Sequence, residues 1–373
     1  MTNLDAAAEA KLAEIETIAE QVLAAQPENA DAHHALGLIR MRQARWRSAA
    51  GLLQSARNSE PGRPEFTRNY LHALNGLARF EIDKGAYGEA RAALAQALNC
   101  RPGDTDFLCR MSFVLSRMGR AHEALAAAQL AILGATELPE PEDKAGLAYL
   151  AMGKSGLAVQ AFGRAVDKDP GYAAAHVNLG NASLGAGDAE TAASHYDRAI
   201  NLDPANAQAF SNLGLARAAQ HRWTDAENAL RQAIKSDPKF PEAHFNLSRI
   251  LLMEGNYEEG WIENEWRWKC HDFPSSWRQF PYPQWQGEPL KGRRVLVWSE
   301  QGIGDEIMFA NPIPDLLASG AELVLECNDR LAPIFQRSFP DAAVVARSDP
   351  PSGLIDGAGI DYQAPMASLC TYL

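Results

Sequence analysis

Small and large apolar residues recur along the first two thirds of the chain in a pattern much longer than one helical turn. Leu179-Gly180 is followed by Ala192, Tyr196, Ala199 and Pro204, and Leu213-Gly214 by Ala226, Leu230, Ala233 and Pro238. Upstream, Leu36-Gly37 leads to Ala49, Leu53, Ala56 and Pro61, and Ala145-Gly146 to Ala158, Phe162, Ala165 and Pro170. The Asp-Pro pairs at 169, 203 and 237 are 34 residues apart, as are Pro27 and Pro61. A period of this length reads as a stack of helix pairs, with Gly and Ala where two helices cross closely and Pro where the second must stop. The phase gives seven full units from about Ala30 to Asp272, after a lone helix over Ala6 to Ala25. Pro61 and Pro102 are 41 residues apart, so one unit carries seven extra residues, about two turns at 3.6 residues per turn, and a lengthened helix is expected there. The unit from Thr105 to Thr136 is degenerate: it keeps Met111, Ala124, Ala128 and Ala131 and lacks the Gly and Pro.

These units resemble the tetratricopeptide repeat family. The resemblance implies a mainly α, right-handed solenoid of about seven helix pairs whose first helices line a concave face holding a partner polypeptide. Asn178, Asn212 and Asn246 stand at the sixth position of successive units. A carboxamide is both donor and acceptor and can grip a peptide backbone whatever its sequence. The column looks like the asparagine ladder of O-linked N-acetylglucosamine transferases, and the other reading is that Asn before Leu-Gly is common in this repeat. Other units carry Ala35, Arg110 and Lys144 at that position. His33, His176 and His244 share the fourth position with Phe210, and packing against the neighbouring helix is expected of them.

Alanine marks a change of composition: 55 of 65 precede residue 251 and none lies between 251 and 300. That segment holds six of the eight tryptophans, with Phe273-Pro274, Phe280-Pro281 and Tyr282-Pro283 among them. Trp261 and Trp268, seven apart, predict an aromatic stripe on the last repeat helix, either gluing the repeats to the next domain or forming a platform for a sugar or base. Each X-Pro step disfavours helix before it, so residues 274–291 read as a stiff, extended linker. The organisation expected is a solenoid over 1–273, this linker, and an α/β piece over 292–373.

In that last piece Arg294 to Glu300 reads as a strand, Gln301 to Asp305 as a glycine turn, and Glu306 to Ala310 and Asp315 to Ser319 as helix interrupted by Pro312 and Pro314. Ala321 to Cys327 and Ala342 to Ala346 are further strands, with Arg330 to Phe339 helical between them. Ile360 to Gln363 is a candidate fourth strand beside a loop containing Gly353, Gly357 and Gly359. Alternating strands and helices imply a small parallel, Rossmann-like sheet, with ligands expected beyond the carboxyl ends of its strands. Gln301, Gly302 and Gly304 are therefore candidate ligand-binding positions, their N–H groups suited to an anion. Ile307 stands where a third Gly would complete GxGxxG, and no GK[ST] follows, so the dinucleotide and P-loop fingerprints both fail.

The run from Trp285-Gln286-Gly287 through Val297-Trp298-Ser299-Glu300-Gln301-Gly302-Ile303-Gly304-Asp305-Glu306 resembles the C-terminal domain of bacterial tetratricopeptide-repeat glycosyltransferases, itself similar to the heptosyltransferase type of the two-lobed GT-B fold. The resemblance implies that Asp305 is the base deprotonating an acceptor hydroxyl. An Asp in the first turn of a helix is also an ordinary cap. The second lobe would hold a nucleotide-sugar donor, and about 80 residues remain, less than one lobe. The chain thus reads as a protein-interaction module attached to an incomplete transferase-like domain, or as part of a sugar-nucleotide-dependent glycosyltransferase acting on a protein or glycan.

Net charge and cysteines narrow the partners. A formal charge of −12 disfavours nucleic acid, whose binding begins with Lys and Arg displacing counterions. No run approaches a spanning helix, and the acidic start is unlike a signal peptide, so neither membrane insertion nor export is expected and a cytoplasmic location is. The five cysteines form no CxxC and have no His pair at zinc spacing, so neither a metal nor a cofactor is expected, apart from a nucleotide-sugar if the transferase is complete.

Overall fold

A computed structural model describes residues 3–348, 351, 353, 355 and 359–373, with side chains from residue 11 onward; Gly357 of the expected loop lies outside them. The protein is mainly helical with one small parallel sheet. Contacts divide it into two compact units, one up to Pro204 and one from Ala205.

In the first unit the lone helix α1 (Asn3–Ala25) precedes five antiparallel pairs: α2 (Ala30–Arg42) with α3 (Trp46–Ser59), α4 (Pro64–Asp83) with α5 (Tyr87–Cys100), α6 (Thr105–Arg117) with α7 (Ala121–Gly134), α8 (Glu140–Ala151) with α9 (Ser155–Lys168), and α10 (Ala173–Gly185) with α11 (Ala189–Leu202). The periodic glycines are crossing points. A Cβ on Gly180 would lie 2.6 Å from Tyr196, and one on Gly146 2.4 Å from Phe162. The seven extra residues lengthen one helix, since α4 has 20 residues where α2 and α6 have 13. The degenerate pair still forms, with fully buried Ser112 at the missing glycine's position and Ala124 packed with Leu115 and Ala148.

The second unit begins with α12 (Ala207–Ala219) and α13 (Trp223–Ser236), then α14 (Pro241–Glu254) and α15 (Tyr257–Asn264). The aromatic stripe departs from expectation. α15 stops at Asn264 and a 3-10 turn, Glu265–Lys269, comes next, so at three residues per turn the tryptophans part company. Trp261 meets the edge of Phe309 at 6.0 Å, Trp266 stacks on His244 at 3.9 Å, and Trp268 lies among Phe273, Trp277 and Trp298.

The strands β1 (Arg294–Trp298), β2 (Glu322–Cys327), β3 (Ala343–Ala346) and β4 (Tyr362–Pro365) form a parallel sheet in the order β3-β2-β1-β4. The fourth strand starts two residues later than its expected span. Alternation along β1 sends Val295 and Val297 to a core with α16 (Ile303–Phe309), α17 (Ile313–Ala318) and α18 (Ala332–Ser338). Leu296 and Trp298 face the other way, where Trp268, Phe280 and Tyr282 pack in place of helices. The linker also pairs with the outer edge of β4: Gln363 N–H donates to Pro283 O and Trp285 N–H to Gln363 O, each at 2.9 Å. Among the described residues no helix is long and apolar enough to cross a membrane.

Candidate functional site

The sixth-position asparagines sit on the first helix of each pair, half-buried, and two of them reach back 35 residues. Asn178 Nδ2 donates to Asp143 Oδ1 at 2.6 Å, and Asn246 Nδ2 lies 3.5 Å from Ser211 Oγ. Asp143 is almost fully buried and holds Lys144 with its other oxygen. A carboxylate only accepts, so the amide orientation of Asn178 is fixed: Nδ2 is tethered and Oδ1 is left as an acceptor with no partner among the described residues. Asn212 is partnered as well.

Sequence reasoning missed a fourth member. Asn69 on α4 is paired with His34 at 2.7 Å, again 35 residues back. The seven-residue insertion hid it, because counting back from Pro102 puts Gly76 at the sixth position, whereas counting forward from Pro61 puts Asn69 there. Where the column lapses, charge appears: Arg110 is paired with Asp106, and with Lys144, Arg79, Ile82 and Phe113 it lines a cavity of about 230 Å3 between α4, α6 and α8.

The fourth-position histidines pack as expected, with polar partners. His176 Nε2 meets Pro170 O and its Nδ1 lies 3.2 Å from His195 Nδ1. His244 bonds Glu263 and Pro238 O, and His33 Nε2 contacts Pro27 O.

In the sheet the glycine turn lies at the carboxyl end of β1, with Gln301 in the left-handed region at φ 62°. Gln301 N–H donates to Ser275 Oγ, and Asp305 accepts from Gly302 N–H at 3.1 Å, closing the first turn of α16. Gly302 and Gly304 are exposed. The strand order reverses direction between β1 and β4, the place where such sheets open a ligand crevice. Here that place is filled. Arg267, fully buried, puts two nitrogens on Glu300 at 2.8 Å each and bonds Ser368 Oγ and Glu265, while Glu300 also accepts from Ala367 N–H. Burial works against the charge of Arg267, yet Glu300 and Glu265 raise its pKa above the ordinary value.

Two more carboxyls are buried near the strand ends, and burial pushes both upward. Glu306 accepts from Asn328 N–H at 2.8 Å, and Glu326 pairs with Arg278. Among the described residues no three His, Cys, Asp or Glu side chains are placed to hold a metal.

Residues 34–105, 144–207 and 211–260 match the family model described as tetratricopeptide repeat, the first gap containing the degenerate pair α6 and α7. Over 105 residues the chain is 41% identical to protein FlbA of Caulobacter vibrioides, covering 27% of this chain and 18% of that protein, so it spans under a fifth of this relative. A tetratricopeptide repeat protein of Parabacteroides merdae superposes with a TM-score of 0.51 at 14% identity, over 63% of this chain and 90% of that one. The Cut9-Hcn1 hetero-tetramer of the APC/C gives 0.50 at 14% identity, over 68% and 49%. These likenesses concern the fold.

Proposed function

This is a tetratricopeptide-repeat protein, and from that premise we propose that it binds a polypeptide along the face of its first helices, with the sixth-position asparagines holding the bound backbone. The observation that carries this is the tethered carboxamide. With Nδ2 of Asn178 tied to Asp143, Oδ1 is pre-oriented as an acceptor, so a backbone N–H meets a group whose rotamer entropy has already been lost. The transferase reading has no such support. It asks Asp305 to be a base beside Gln301, Gly302 and Gly304, yet the Asp305 carboxylate is bonded to Gly302 N–H and the sheet's crevice holds Arg267.

Replacing Asn178, Asn212 and Asn246 together by Ala should weaken capture of a partner about tenfold or more, from three hydrogen bonds worth roughly 0.5–1.5 kcal/mol each, while circular dichroism keeps its helical signal. Undiminished capture removes the column from the function.

A further inference from the structure

The cavity between α12, the start of α13 and α14 is lined by Leu215, Ala218, Trp223, Ile250 and Met253, encloses about 290 Å3, and has Asn246 and Arg249 on its rim. We propose that it anchors one large apolar side chain of the bound polypeptide while Arg249 pairs with an acidic side chain a few residues away. This rests on the polypeptide reading above and assigns the partner a chemistry.

The gap has a sequence cause. α12 ends in Ala218-Ala219, where the equivalent positions of α2 are Met41-Arg42 and of α6 Ser116-Arg117. Small residues there leave the space beside Trp223 unfilled. Trp223 is half-buried and packs against the core of Ala226, Leu230 and Leu247, so the indole is a fixed wall. Met253 is 65% exposed at the mouth, and a flexible thioether can close over a guest of variable shape.

The rim supplies polarity of one kind. Arg249 is exposed and, among the described residues, has neither a hydrogen bond nor an ion pair. Its neighbours in the same unit are paired, Arg222 with Asp225 and Arg231 with Glu227 and Glu259. A solitary cation in a chain of net charge −12 is complementary to a carboxylate it does not itself supply. Asn246, tethered toward Ser211, offers Oδ1 to a backbone N–H between the two. Apolar slot, backbone acceptor and cation therefore converge on one short segment, an apolar residue with Asp or Glu close by on either side.

The test uses the full chain and immobilised decapeptides on a Gly/Ser scaffold. One position is Leu, Phe or Ala, and another, one to four residues away, is Asp, Ser or Lys. Leu and Phe peptides should bind about tenfold or more above their Ala counterparts, and Asp should exceed Lys severalfold at low salt. Arg249→Glu should invert the Asp/Lys preference, and Met253→Asp should erase the Leu/Ala difference; both side chains are exposed, so folding is undisturbed. Equal binding of all peptides, unmoved by these variants but weakened by the triple asparagine variant, overturns the anchor and keeps the column. Absence of binding to every peptide overturns both. A dimer by sedimentation that Met253→Asp dissociates would show a second copy in the pocket, and the anchor assignment would be wrong.

Discussion

Arg267 and Glu300 meet through two 2.8 Å hydrogen bonds with neither side chain exposed to solvent. The arginine comes from the turn after the last repeat helix and the glutamate from the end of β1, so one ion pair ties the repeats of the second unit to the sheet. A buried pair is weak evidence of net stability, but removing one partner strands a charge, at about 3–5 kcal/mol. Arg267→Ala should therefore accelerate hydrogen exchange across β1 and β4, and Arg267→Met with Glu300→Leu should recover most of the protection. Unchanged exchange in the single variant would rule out a structural role for the pair.

The periodic glycines predict opposite effects for one substitution. Gly180→Ala drives a Cβ to 2.6 Å from Tyr196 and should cost about 1–3 kcal/mol by overpacking. Gly163, inside α9 with nothing within 4 Å of its would-be Cβ, should gain up to about 1 kcal/mol on replacement by Ala. Thermal melts of the two variants should move in opposite directions.

His176 and His195 make the first unit sensitive to acid. Nε2–H of His176 donates to Pro170 O, so its Nδ1 must accept from Nδ1–H of His195, and the pair is stable only when both rings are neutral. Burial depresses both pKa values below 6.5. The folded state thus binds fewer protons than the unfolded one, and the contribution is complete above about pH 6.5 and lost as pH falls. Glu306 and Glu326, with raised values, act in the opposite sense, so the informative quantity is a difference. The melting temperature should fall less between pH 7.5 and 5.5 in His176→Phe than in the wild type; equal falls would dismiss the pair as the source.

Asp305 separates two roles by stability. As a helix cap its replacement by Ala should cost about 1 kcal/mol and loosen exchange in α16, and calorimetry of the wild type with a UDP-sugar should give no saturable heat. A saturable heat abolished by Asp305→Asn would restore the transferase reading.

The helix pairs were legible because a 34-residue period is a tertiary repeat written in sequence: each Gly, Ala and Pro marks a crossing or a stop. Even the long α4 followed from one interval. Arg267 was not legible. A charged residue between two tryptophans looks like surface, and only the fold brings Glu300, 33 residues on, to meet it. The aromatic stripe failed for a related reason, since burying that guanidinium goes with a 3-10 turn that no 3.6-residue count anticipates. Asn69 was lost to a frame shift in the count, and the 35-residue bond to His34 restores it.

The length of α4 has a geometric consequence. Seven residues at 100° each return a helix face to within about 20° of its starting direction while advancing it about 10 Å. The insertion is therefore a translation almost without rotation. Side chains on either side of it keep the same outlook, and a strand of partner crossing from α2 to α6 meets a stair rather than a twist. Its contacts must be spaced two turns wider there than anywhere else along the first unit.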